Sequence, residues 1–302
     1  MGSNKIHVKH YKVRINNKFN VKHFKTSIVP IKSKKGFRFF ICVILFILLF
    51  SVAIYSFSKI VLWKQDSNKT EKQIESISED VVIDEVEDNE NTELFGEDNS
   101  IYNDYWYYVK FPLINVNFNE LKQKNSDTVA WINVNNTNIN YPVVQADDNQ
   151  YYLNHSFNKD YNEAGWVFLD FRNNPNFSDK NTVIYAHSRL DKTMFGSLSK
   201  TLHQSWYLNK DNHIIRISNE YENSLWQIFS VYKIETEDYY ITTSFLEDSD
   251  YQEFLNTMVS RSIYNFNTQL TTNDRIITLS TCYDDTKKTV VHAKLLKREL
   301  RQ

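Results

Sequence analysis

Residues 39–58 form an unbroken run of twenty uncharged, mostly apolar side chains, and no other feature restricts the fold of the chain as strongly. About 20 helical residues span the roughly 30 Å hydrocarbon core of a bilayer, so the run predicts a membrane helix. Before it, residues 1–38 carry eleven Lys or Arg and no Asp or Glu. The positive-inside rule therefore predicts a cytoplasmic basic arm over 1–38, an anchor over 39–63 with 39–58 in lipid, and an extracellular remainder. A cleaved signal peptide is the competing reading, given the small residues Ser51, Val52 and Ala53. The long basic lead and the length of the apolar run favour an uncleaved anchor.

The net charge of −2 conceals an asymmetry. Beyond the arm, 24 basic residues face 37 acids, which argues against nucleic acid as a partner. The arm itself suits topology and anionic inner-leaflet lipid. Residues 71–98 hold twelve acids and one Lys. Such a segment repels itself and offers little apolar surface against the entropy of ordering, so 64–104 is expected to be an acidic disordered linker.

From residue 105 to 302 the texture is that of one globular domain, dense in aromatics and poor in Pro and Gly. Runs rich in β-branched and aromatic residues, bounded by Asn, Asp or Gly, predict strands at 130–134, 141–145, 165–169, 182–187, 213–218, 225–234, 275–281 and 289–296. Eight such runs with few helical patterns between them suggest a mainly β barrel or sandwich. Two helices are expected. One lies near 119–124 behind an Asn117/Glu120 capping box, the other near 249–264, where Phe254, Leu255, Met258 and Ile263 recur at helical spacing as core residues. No internal repeat, Gly-rich phosphate loop or Cys/His metal pattern is present, so no cofactor or metal is expected.

The chain has two cysteines. Cys42 falls in the apolar run and reads as a packed or lipid-facing residue. Cys282 ends the strand run RIITLSTC, where a single extracellular thiol has no disulfide role. The thiolate is the reactive form of cysteine, so a working thiol needs a base or cation beside it. Five histidines follow the anchor. His155, His203 and His213 lie in polar turns and read as solvated. His187 closes the run TVIYA much as Cys282 closes its own, so the two are expected to meet at one barrel rim. His292, inside the last strand run, is the reserve.

The segments TLSTC (278–282), NTVIYAH (181–187), AWI (130–132), NYPVVQ (140–145), DNQYYLNH (148–155) and GWVFLD (165–170) together resemble a class B sortase. Ser280 within TLSTC and the helix between the later strands favour class B over class A. The resemblance implies a closed eight-stranded barrel with an N-terminal helix and an inserted helix between late strands. It further implies an extracellular, Gram-positive, membrane-anchored cysteine transpeptidase. Cys282 would cleave an NPxTx-like C-terminal sorting motif after Thr, hold the surface protein as a thioester, and pass it to a cell-wall amine. His187 would be the general acid/base.

The family's arginine on the last strand is missing here. Aligning VVHAK with that strand puts Lys288 at its position, keeping the charge and losing the planar fork. Lys287 is its neighbour; Arg275 starts the Cys282 strand far from its catalytic end, and Arg298 lies beyond the matched strand. The alternative to an active enzyme is a catalytically weak or inactive sortase-like domain that binds peptide. Ser280 and Tyr185, two residues before Cys282 and His187, are expected to line the motif groove. Asn149, Leu153, Ile241 and Thr242 are further candidates.

Overall fold

The computed structural model describes residues 35–96, 104–282 and 286–301, with Lys35 and Cys282 described by their backbone alone. The basic arm up to residue 34 lies outside the described residues. The chain divides into two units, Met1–Ser56 and Phe57–Gln302. The described part of the first is helical and belongs to α1 (Lys35–Asp80). Its apolar side chains are exposed, Phe39 and Leu49 among them. That suits a helix whose surroundings are lipid, and its length and composition suffice to cross a membrane.

In the second unit the remaining turns of α1 carry a different pattern. Thr70 and Ile77 are buried, and Asn162 donates from Nδ2 to Thr70 Oγ1 at 3.0 Å. The expected disordered linker is corrected over residues 64–96, while 97–103 lie outside the described residues. Lys64 to Asp80 are helical, and two strands follow, β1 (Ile83–Val86) and β2 (Thr92–Leu94). After the short helix α2 (Tyr105–Val109), β3 (Leu113–Val116) pairs antiparallel with β1. The segment's acids find cations that composition alone does not reveal. Glu93 accepts from Arg298 at 2.8 Å, Asp88 pairs with the buried Lys297, and Asp80 pairs with Lys124.

The helix α3 (Phe118–Lys124) starts at Asn117, whose Oδ1 accepts from the Asn119 N–H at 3.0 Å. The barrel strands then follow: β4 (Thr128–Val134), β5 (Asn140–Val144), β6 (Phe168–Leu169), β7 (Asn181–Tyr185), β8 (Ile214–Asn219), β9 (Glu222–Glu235), β10 (Ile276–Cys282) and β11 (Lys287–Leu300). They neighbour one another in the order β10, β7, β6, β5, β4, β8, β9, β11, and β11 returns to pair with β10. Closure leaves none of the eight as a free edge, and β2 covers the far end of β11. All eight expected strand runs are strands, although the run at 165–169 shrinks to two residues and the one at 182–187 stops at Tyr185. Trp131, Trp166, Trp226, Ile132, Ile217 and Leu279 all belong to one large buried hydrophobic cluster.

The connection from β7 to β8 includes a short helix, α4 (Gln204–Tyr207). Between β9 and β10 runs α5 (Asp248–Arg261), capped reciprocally by Glu247 and Asp250. Tyr251, Phe254, Leu255 and Met258 bury its inner face against Phe229, Tyr232 and Val290. Ile263 departs from expectation. Ser262 turns extended and ends the helix, and Ile263 is 51% exposed.

Candidate active site

One end of the barrel gathers the candidate residues through strand register. In the parallel pair β7–β10, Ser280 is opposite Tyr185. In the antiparallel pair β10–β11, Cys282 is opposite Lys288. Cys282 and His187 each lie two residues beyond the Ser280–Tyr185 pair, so both chains leave the barrel at the same level. The fit is local at His187: it is past the end of β7, and its Nε2 is 2.7 Å from Leu153 O. A carbonyl can only accept, so Nε2 donates and, in the neutral ring, Nδ1 carries the lone pair. The Leu153 carbonyl is in turn set by Gly165. At φ +60° a Cβ there would meet Tyr152 O at 2.5 Å and Leu153 O at 2.8 Å, so only glycine lets the two segments approach. The backbone of His187 is held from the other side, where its carbonyl accepts from the Phe195 N–H at 3.0 Å.

A cleft of about 270 Å³ opens at this end, lined by His187, Lys288, Tyr185, Ser280, Asn149, Leu153 and Ile241 together with Thr236, Glu237, Asp238, Tyr240 and Thr281. Of the side chains expected around Cys282 and His187, all but Thr242 are thus in one place, Lys288 included. Thr242 differs: its hydroxyl donates to Tyr239 O at 2.8 Å and its carbonyl accepts from Asn181 Nδ2 at 2.9 Å. Those bonds fix the loop rather than face the cleft. Thr236, Glu237 and Asp238 carry no signal in sequence, because they reach the cleft only through the length of β9. Thr281, one residue before Cys282, keeps a buried hydroxyl without a hydrogen-bond partner among the described residues.

Under the cleft lies a polar network centred on the buried carboxylate of Asp170. It accepts from Arg172 Nε at 2.8 Å and Nη2 at 2.7 Å, from Tyr185 Oη at 2.9 Å and from Asn149 Nδ2 at 3.0 Å. Burial works against its charge, yet the Arg172 hydrogen bonds outweigh it and hold Asp170 below the ordinary carboxylate value. Burial first and the Asp170 charge second push the Tyr185 phenol up. Arg172 also donates from Nη2 to Ile241 O at 3.0 Å. One carboxylate therefore fixes three of the expected groove residues.

The other candidates lie elsewhere. His292 is fully buried, its Nε2 2.8 Å from Tyr232 Oη and its Nδ1 2.8 Å from Thr278 Oγ1; burial pushes it down to about 3. It is a core polar residue. His213 corrects the solvated reading. It is 3% exposed, stacks on Tyr207 and is pushed down to about 4, chiefly by burial. Lys287 lies 3.7 Å from Glu235. Arg275 and Arg298 both bind Glu222 at the opposite end of the barrel.

The family model described as Sortase domain matches residues 132–296. The chain is 42% identical over 184 residues to Sortase B of Staphylococcus aureus (strain NCTC 8325 / PS 47), covering 60% of this chain and 75% of that protein. It is similar to a crystal structure of Sortase B complexed with triglycine, with 42% identity, a TM-score of 0.57 and coverage of 60% of this chain and 85% of that one. A Staphylococcus aureus sortase B–substrate complex matches with 42% identity and a TM-score of 0.56, covering 60% of this chain and 84% of that one. With the closed eight-stranded barrel these matches establish that the chain belongs to the sortase family, class B, and is a cysteine transpeptidase.

Proposed function

We propose that this transpeptidase cleaves an NPxTx-like C-terminal sorting motif after Thr and joins the surface protein to a cell-wall amine, acting outside the cell from an anchor at 39–63. The register that pairs Cys282 with Lys288 and sets His187 level with both carries the reading. The Cys282 sulfur attacks the threonine carbonyl carbon, the C–N bond breaks, and His187 protonates the leaving amine. An incoming amine then attacks the thioester, His187 takes its proton, and the Cys282 sulfur is released. Lys288 supplies positive charge to the developing oxyanion. Asn149, Leu153, Tyr185, Ile241 and Ser280 bind the motif, with Thr242 shaping the loop behind Ile241. The relative solved as a substrate complex and the one complexed with triglycine are consistent with a peptide donor and an amine acceptor.

Cleavage of fluorogenic NPxTx peptides by the full-length protein in detergent tests the reading, with Cys282→Ala and Lys288→Arg alongside. Cys282-dependent cleavage by wild type, with new amide product when an amine is added, is the expected result. Turnover confined to Lys288→Arg would instead identify a peptide-binding domain whose chemistry has weakened, because loss of an oxyanion donor costs roughly 10²–10³ in rate.

A further inference from the structure

The loop that carries His187 out of β7 closes on itself. Ser188 bridges Met194, the His187 carbonyl accepts from the Phe195 N–H, and the Lys192 N–H reaches Arg189 O at 3.1 Å. Its hub is the Asp191 carboxylate. Oδ1 accepts from the Thr193 N–H at 3.1 Å and from the Thr193 hydroxyl at 2.6 Å, and Oδ2 accepts from Arg189 Nη2 at 3.0 Å.

Arg189 and Asp191 are met from α1. The Ser67 hydroxyl donates to Asp191 Oδ2 and accepts from Arg189 Nη2 at 3.1 Å. The Trp63 ring, four residues earlier and so on the same helix face, lies 5.7 Å from Arg189 Cζ, within cation–π range. The guanidinium between them is 6% exposed. Burial opposes the Asp191 charge, yet hydrogen bonds led by that of Ser67 bring the carboxyl down to about 2. α1 does not depend on these contacts alone for its place. Further along it, Thr70 Oγ1 accepts from Asn162 Nδ2 at 3.0 Å and Ile77 is buried in the large hydrophobic cluster.

We propose that Trp63 and Ser67 are positioning residues of the active site: the helix that carries the apolar span clamps Arg189 and Asp191, and so holds His187, two residues before Arg189, against Leu153 O. The inference rests on the acid–base reading of His187. A group that moves protons must keep its geometry, and a displacement of about 1 Å can cost roughly 10²-fold in rate. Without the clamp the loop keeps its internal bonds but gains freedom at Arg189, and the imidazole strays from the reacting atoms. The motif groove is organised separately, through Asp170 with Asn149 and Tyr185. The clamp therefore acts on kcat and not on KM.

Full-length protein in detergent, a fluorogenic sorting-motif peptide and urea unfolding form the test. Trp63→Ala/Ser67→Ala should lower kcat about tenfold, with KM within about twofold of wild type and the folded fraction unchanged. Trp63→Phe/Ser67→Thr keeps an aromatic face and a hydroxyl, and should hold kcat within about twofold of wild type. Ser67→Ala alone deletes one half-buried hydroxyl. It should lower kcat about threefold, and it decides the matter if the double variant does not fold. Wild-type kcat in the alanine variants would overturn the assignment. A raised KM at constant kcat would give the helix to peptide binding and overturn it too, as would an equal loss in the Phe/Thr pair, which would make the effect one of helix packing. Full turnover in His187→Ala would remove the acid–base reading itself, a result distinct from a working histidine that is indifferent to α1.

Discussion

Asp170 shows how one side chain organises a groove it does not line. Its carboxylate gathers Asn149, Arg172 and Tyr185, and Arg172 passes the constraint on to Ile241. The charge is buried, and it persists because its donors replace the hydration it has lost. Asp170→Asn keeps the shape but removes the charge and leaves Arg172 without its counter-ion. The expected result is a loss of about 1–3 kcal/mol in urea unfolding and a KM for the donor peptide raised about tenfold, with kcat changed less. Wild-type values of both KM and stability would show that the network does not position the groove. In sequence, Asp170 is visible only as the last residue of GWVFLD. Nothing there says that its partners are Asn149 and Tyr185, because those contacts join three separate segments.

Among the elements, the connection after β7 governs the placement of His187. It folds back tightly enough that a Cβ at Gly196 would meet Arg189 O at 2.2 Å and Arg189 N at 2.9 Å. The adjoining Phe195 is buried and donates its N–H to the His187 carbonyl. Arg189 in turn packs at 5.7 Å over the Trp63 ring and reaches Ser67 Oγ at 3.1 Å. Backbone cannot yield as a flexible side chain can, so Gly196→Ala must open the turn. Thermal unfolding should show a stability loss of about 1–3 kcal/mol, and peptide cleavage should fall further than the lost folded fraction explains. Unchanged cleavage would mean that the turn does not set the histidine. Strand identity was legible from β-branched runs, yet the end of β7 at Tyr185 was not, since it depends on where pairing with β10 stops.

For the molecule as a whole, buried titratable groups set an acid limit. His213 and His292 are held neutral, their values pushed down to about 4 and about 3 by burial. The unfolded chain takes up protons near about 6.5, before the folded protein does. Their stability contribution is therefore complete above about pH 6.5 and is lost as pH falls toward the folded values. For His213 the loss is up to roughly 3 kcal/mol. The lowered carboxylates Asp170 and Asp191 act in the same sense at lower pH, Asp191 titrating at about 2. Urea unfolding from about pH 7 down to about pH 4 should show a falling midpoint whose slope is reduced in His213→Gln. An identical slope in that variant would place the acid sensitivity elsewhere.

The sequence by itself determined the apolar helix, the eight strand runs and the motif that ends in Cys282. Those features depend on residue type and spacing along a continuous stretch, which pattern alone reports. The tertiary structure decided what composition could not: that the acidic segment is ordered up to residue 96, that His213 is buried, and that Asp170 underlies the groove. Each depends on a partner remote in the chain, as Glu93 depends on Arg298 at a separation of 205 residues and Thr70 on Asn162 at 92. A run of acids reads as disordered when its neighbours are the only charges in view. It becomes a docked strand when closure of the barrel delivers the lysine and arginine that neutralise it.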